Sequence, residues 1–395
     1  MGDNPADRIA NALREGKAVY LSPYKEPKVW GAGGIGEYWY GAEAGDKSSV
    51  ASLGGDEAPM ADVLELAPVE ILGEGAVKKF GDLLPLVKIL TPKGRLSVQF
   101  HDAKNELWIV TGVDESAAGG KEPSVIVGFS SEAVDEYGPS VTSEYHEALK
   151  EYGVQLNALI DLLLQKRFKE ALEETKDVVL AAESAKESSP QIAAALDKVT
   201  EARGKLEKFY NYIPVKIGDV IPIPCGTLHA LGSGVEVVEP QIPGPTQSLE
   251  DGATYPVRYY FPGHERGRSK KKLDIDRAEE MIPDVVKESP PEVISEADSV
   301  KIERLPGGFE DKGLEVHRIT MEGAAEANFS DITSFHTLVS VAGEAMIVTS
   351  SGEYEIPKAA PGGKMLLVPA SAGEYKIVSS SGAQIIDTFT PLEIS

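Results

Sequence analysis

The stretch RLSVQFHDAKNELWIVTG, residues 95–112, sets one histidine, His101, close to one glutamate, Glu106, at the junction of two runs that otherwise read as β-strands. Imidazole and carboxylate are side chains that share a divalent cation or move a proton. Side chains alternate along a strand, so Gln99 and His101 fall on one face. The chain has a single cysteine, Cys225, which excludes a disulfide framework and a cysteine-rich zinc knuckle. A metal site here would therefore use histidine, carboxylate or amide ligands.

The elements that must position such a site are short. Between residues 18 and 130, the runs AVYLSPY, LPLVKIL, RLSVQF, ELWIVTG and SVIVGF are separated by Gly, Pro, Asp and Ser, the texture of an antiparallel sandwich or barrel. From about Glu132 to Tyr212 the period changes. Leu149, Tyr152, Leu156, Leu159 and Leu163 recur at helical spacing, as do Ile192, Leu196, Val199, Leu206 and Phe209. Ser189 before Pro190 reads as an N-cap with proline in the first turn, and three helices with a core-facing stripe are expected. Strand texture returns at VKIGDVIPIPCGTLHALGSGVEVVEP and again beyond HTLVSVAGEAMIVTSSGEYEIP. MIPDVVKESPPEVISEADS, rich in Pro and Glu, reads as a crossing between two β units.

Composition narrows the partners. A net charge of −24 on 395 residues repels nucleic-acid phosphates and anionic membranes, and an anionic substrate would need a local basic pocket. No apolar run approaches the length of a membrane span and the N-terminus has no signal-peptide pattern. A cytoplasmic protein, monomeric or weakly homodimeric, is expected.

The two β units share an outline. VKIGDVIPIPCG places five residues between Gly218 and Pro224, and GGKMLLVP ends the same way in the later unit, which suggests a duplicated β-barrel. The motifs resemble those of cupin barrels. Gln99, His101, Glu106 and Gly112 resemble the first cupin motif, with glutamine in place of its first histidine; Gly218, Pro224, Gly226 and His229 resemble the second, with Ser233 where asparagine is usual. That resemblance implies a metal held by Gln99, His101, Glu106 and His229 inside a barrel. It also implies a mainly β fold with an α-helical insertion and two cupin-type β-barrels of the jelly-roll kind. The expected units are residues 1–131 plus 213–285, a helical insertion at 132–212, and a degenerate cupin at 286–395.

Gln99 narrows the resemblance to the type I phosphomannose isomerases, cupins with a helical insertion and a Gln, His, Glu, His zinc set. LLPLVKIL before LSVQFH, IGEYWYGAEAGDKSSV, and PVKIGDVIPIPCGTLHALGSGVEVVEPQ are all similar to segments of that family. The implied reaction interconverts mannose 6-phosphate and fructose 6-phosphate through a cis-enediol. The cofactor would be one divalent metal, zinc, with manganese, iron or cobalt compatible with the ligands. The family's catalytic arginine is best matched by Arg258, with Arg266 and Arg268 as rivals in a region that carries extra residues. Lys104 matches a Lys-x-Glu lysine and is a candidate proton carrier; Glu239 is a candidate base or hydrogen-bond partner. For the sugar phosphate, Lys88 and the cations of HERGRSKKK, Arg266 among them, are candidate anchors, and Trp30 and Trp39 are candidate walls of a sugar pocket. A metal cupin of another class, an oxygenase or epimerase, and a non-catalytic sugar-phosphate-binding cupin are the alternative readings.

Overall fold

A computed structural model of the chain describes residues 4–28, 30–42, 47–81, 84–100, 105–165, 170–171, 178–224, 226–241, 246–248, 254–256, 259–260, 290–307 and 313–392. Its architecture is a stack of layers. One layer of helices covers a five-stranded sheet; behind it lie a six-stranded sheet, a nine-stranded sheet and a four-stranded sheet. Each interface between layers is one cluster of buried apolar side chains.

The helices are where the 3.6-residue period puts them. Val141–Leu163 buries Leu149, Tyr152, Leu156, Leu159 and Leu163, and Pro190–Glu207 buries Ile192, Leu196, Val199 and Leu206. The Ser189 hydroxyl accepts from the Ile192 N–H at 3.4 Å, capping the second helix ahead of its proline. These stripes close on Val98, Ile126, Leu228 and Ala230 of the five-stranded sheet.

The strands show why the pleat decides everything that follows. In Ser124–Phe129, Ile126 faces the helices while Val125 and Val127 face the next sheet. In Leu86–Leu90 of the six-stranded sheet, Val87 and Ile89 face the nine-stranded sheet, and Leu90 faces the five-stranded one. The six-stranded sheet is therefore packed on both faces, and its strands read as nearly continuous apolar runs.

The expected mainly β fold with helices is present in this arrangement. The chain is mainly β with a helical layer, and among the described residues its strands form stacked sheets with no closed barrel. Strands from the two ends of the chain share one sheet. Val19–Ser22 pairs with Met365–Val368, Val19 opposite Leu367, and Val50–Leu53 and Asp56–Pro59 extend the same nine-stranded sheet. An apolar period of two marks a strand without saying which partner it takes. Among the described residues, no helix is long and apolar enough to cross a membrane.

Leu367 is fully buried and touches the cluster between the six- and nine-stranded sheets. Leu367→Ala should lower unfolding stability by about 2–5 kcal/mol, from lost burial and the cavity left behind, read as a shifted denaturation midpoint.

Candidate metal and sugar site

Between the five- and six-stranded sheets the interior has two halves. One is apolar, with Trp30, Leu90, Leu96, Val110, Val125, Val127, Val235 and Val237. The other is polar, built by continuing the same inward register along each strand. Lys88 follows Leu90 two residues back; Glu106 precedes Trp108 and Val110; Glu239 and Gln241 follow Val235 and Val237. Cross-strand pairing gathers them: Lys88 lies between Trp39 and Glu239, and Gln241 opposite Glu106.

The second sequence motif builds the histidine. The Thr227 N–H donates to the Pro224 carbonyl at 3.1 Å in a tight turn, and Gly226 sits there at φ +80°, a backbone that a side chain would strain. The turn directs the Thr227 carbonyl at His229, whose Nδ1 donates to it at 2.7 Å. A carbonyl can only accept, so Nδ1 carries a proton, and in the neutral ring Nε2 is the nitrogen with the lone pair. His229 is fully buried, and its Nε2 lies 3.7 Å from Oε2 of Glu106, itself buried. Trp108 meets the imidazole edge-on at 5.6 Å. His229 pairs across the strands with Gln99, which lies beside it at the same end of the interior.

This donor set fits a divalent ion. An imidazole lone pair and a carboxylate oxygen 3.7 Å apart are too distant for a hydrogen bond. Ligand distances of about 2.0–2.2 Å place neighbouring ligand atoms about 3–3.5 Å apart, so a small adjustment lets one cation serve both. Among the described residues, no group of three or more His, Cys, Asp or Glu comes together. His101, the third nitrogen or oxygen ligand that the motif calls for beside the Gln99 amide, lies outside the described residues, as do Lys104, Arg258, Arg266, Arg268 and Cys225.

The remaining expected residues are placed as follows. Lys88 is only 2% exposed, and its ammonium donates to Gln241 Oε1 at 2.8 Å and Glu239 Oε1 at 3.3 Å. The other oxygen of Glu239 accepts from the Trp108 indole at 3.2 Å, so this carboxylate is held from both sides. Trp30 packs in the apolar half, against a glycine, Gly36, where an added Cβ would come within 2.4 Å of its ring. The tryptophan at the polar half is Trp39, with the Lys88 ammonium 5.2 Å from its ring centroid. Sequence reasoning did not single out Glu37. Its Oε2 accepts from the Trp39 indole at 2.8 Å, and its Oε1 pairs with Lys28 at 3.1 Å. The signal for it was the Glu-x-Trp segment, where a period of two sets Glu37 and Trp39 on one face.

The arrangement has the fold of the phosphomannose isomerases. A Bacillus subtilis mannose 6-phosphate isomerase is 17% identical, with a TM-score of 0.58 over 94% of this chain and 99% of its own. A variant of the Salmonella typhimurium phosphomannose isomerase is 17% identical, with a TM-score of 0.59 over 95% of this chain and 100% of its own. A zinc-bound mannose 6-phosphate isomerase superposes with a TM-score of 0.58 at 16% identity, over 95% of this chain and 100% of that one. In sequence, residues 15–122 match the family model of the phosphomannose isomerase type I catalytic domain. The mannose-6-phosphate isomerases of Escherichia coli (strain K12) and Shigella flexneri are each 37% identical over 71 residues. That alignment spans 18% of this chain and 18% of the length of each curated relative.

Removing the buried cation tests this assembly. Lys88→Met takes the ammonium away from Glu239 and Gln241 and should destabilise the fold by about 3–5 kcal/mol in a denaturant titration, the cost of breaking a buried ion pair by removing one partner.

Proposed function

We propose that the chain is a metal-dependent aldose–ketose isomerase that interconverts mannose 6-phosphate and fructose 6-phosphate through a cis-enediol. The observation that carries the reading is the buried His229–Glu106 pair, its imidazole lone pair facing the carboxylate, in a chain whose residues 15–122 match the type I catalytic domain. We read the two β units as duplicated cupin-type modules with a helical insertion at 132–212. The metal would be held by Gln99, His101, Glu106 and His229, with zinc favoured by this ligand set. When bound, it supplies Lewis acidity to the oxygens of C1 and C2.

The chain's own residues do the rest. Glu106 and His229 are held by strand pairing and by the Thr227 carbonyl, so only a small adjustment is needed. Lys88 offers its ammonium to substrate oxygens from within the polar half. Lys104 is assigned to carry the proton between C1 and C2, and Arg258 to stabilise the enediolate. Glu239 anchors the Lys88 ammonium. Trp39 supplies an apolar wall against the sugar.

Charge explains how so acidic a protein accepts a sugar phosphate. Among the described buried groups of the polar half, the carboxylates of Glu37, Glu106 and Glu239 outnumber the ammonium of Lys88 by two. A divalent cation would cancel that deficit and so remove the repulsion of an anionic substrate, in an interior where screening is weak. Metal-free protein should therefore bind mannose 6-phosphate at least about tenfold more weakly than zinc-loaded protein in calorimetry, a difference of about 1.4 kcal/mol.

The deciding test is a coupled assay of mannose 6-phosphate conversion by zinc-loaded protein. Turnover should fall on the order of 10³-fold in His229→Ala and on chelation, since a Lewis-acid metal contributes several kcal/mol. Stoichiometric zinc with no turnover would sink the isomerase reading. Bound iron with oxygen consumption would replace it with an oxygenase, and saturable binding alone with a sugar-phosphate-binding cupin.

A further inference from the structure

Charged side chains alternate in sign along a path from the surface to the site. Lys47 pairs with Glu26 at 3.4 Å, Glu26 with Lys28 at 3.5 Å, and Lys28 with Glu37 at 3.1 Å. Glu37 then lies 3.9 Å from Lys88, and Lys88 3.3 Å from Glu239. Side-chain exposure falls from 43% at Lys47 to 3% at Lys88. The Trp39 ring stands beside this path, with the Lys47 and Lys88 ammoniums 5.0 Å and 5.2 Å from its centroid.

Two features single out Glu37. Its carboxylate is only 5% exposed and fixes the indole plane through the 2.8 Å bond from Trp39 Nε1. Its distance to Lys88, 3.9 Å, exceeds a hydrogen bond while still giving substantial attraction in a buried setting. An ammonium has three N–H donors. Gln241 and Glu239 accept two, so Glu37 draws the Lys88 ammonium toward the Trp39 face without taking up the third.

We infer that Glu37 is a positioning residue: through Trp39 and Lys88 it keeps one ammonium N–H aimed at the substrate in the reaction proposed above, on which this inference rests. Lys28 supports it by compensating the carboxylate charge at 3.1 Å. Loss of the charge leaves the ammonium to settle onto Glu239 and Gln241, and leaves the indole held by a neutral acceptor.

The test compares wild type with Glu37→Gln, which keeps the shape and one acceptor for the indole, and with Trp39→Phe, which keeps a ring and loses the donor. Zinc content, melting midpoint, kcat and KM for mannose 6-phosphate are measured, together with the ammonium resonance of Lys88 in ¹⁵N-lysine-labelled protein. Glu37→Gln should lower kcat about tenfold or more, in line with a lost charge-assisted contact. KM should stay within about threefold and zinc content should hold, because the metal ligands are untouched. The Lys88 resonance should broaden or shift. Trp39→Phe should move kcat and the resonance in the same direction, and it carries the test if Glu37→Gln fails to fold. An unchanged kcat and resonance would overturn the inference, and so would a rise in KM at constant kcat. Absence of turnover in wild type would instead overturn the isomerase reading, while the resonance would still report whether Glu37 positions Lys88.

Discussion

The six-stranded sheet must bury both of its faces, and the placing of every chemical group follows from that constraint. Period two gives each strand one set of side chains for the nine-stranded sheet and one for the five-stranded sheet. The first set is apolar throughout. The second is apolar for half its length and then changes to Glu37, Lys88, Glu106, Glu239 and Gln241, so the only way to seat these groups is to satisfy them against one another. Lys88 answers most of that demand. Its two hydrogen bonds bridge neighbouring residues of one strand face, and the Trp108 indole secures the far oxygen of Glu239.

The two sandwiches solve the same problem in opposite ways. In the later one, His336, Asp387 and Tyr375 lie at a polar end of the interior, on strands that otherwise contribute Leu338, Ile385 and Ile377 to its core. The His336 Nδ1 lies 2.9 Å from one Asp387 oxygen and 3.0 Å from the other, and the Tyr375 hydroxyl donates to the carboxylate at 3.4 Å. Burial, with the carboxylate beside it, pushes the Tyr375 phenol well above its usual range. This triad closes on itself. In the first sandwich the imidazole gives its Nδ1 proton to a backbone carbonyl and turns Nε2 toward Glu106, an arrangement suited to the cation proposed for it.

What could be read from the sequence was what local spacing encodes. Helical stripes, the Ser189 cap, and the turn ahead of His229 depend on residues a few positions apart, and the glycine of that turn follows from its positive φ. The gathering of Glu106 with His229 was legible only through the joint spacing of two motifs. Partnerships across distant strands were not legible. Lys88 and Glu239 are 151 residues apart, and nothing local distinguishes a phosphate-seeking lysine from one committed to carboxylates. His336 carried no neighbouring partner in sequence because Asp387 comes from a strand 51 residues later. Trp30 and Trp39 looked equivalent, yet one lies in the apolar half and the other in the polar half. The stacked sheets were hidden for the same reason, since strand texture is silent about pairing.

The pairing of Val19–Ser22 with Met365–Val368 bears on how the protein is made. The segments 19–22 and 50–59 emerge from the ribosome well before the strand that joins them to the rest of their sheet. Until then they present one unpaired edge and the apolar side chains of Val19 and Leu21 without their cover. Closure of so long a loop makes the nine-stranded sheet a late, non-local step. The helical layer and the sheet beneath it draw on nearer segments and can form first. The waiting N-terminal strands are thus the part of the nascent chain most in need of a chaperone.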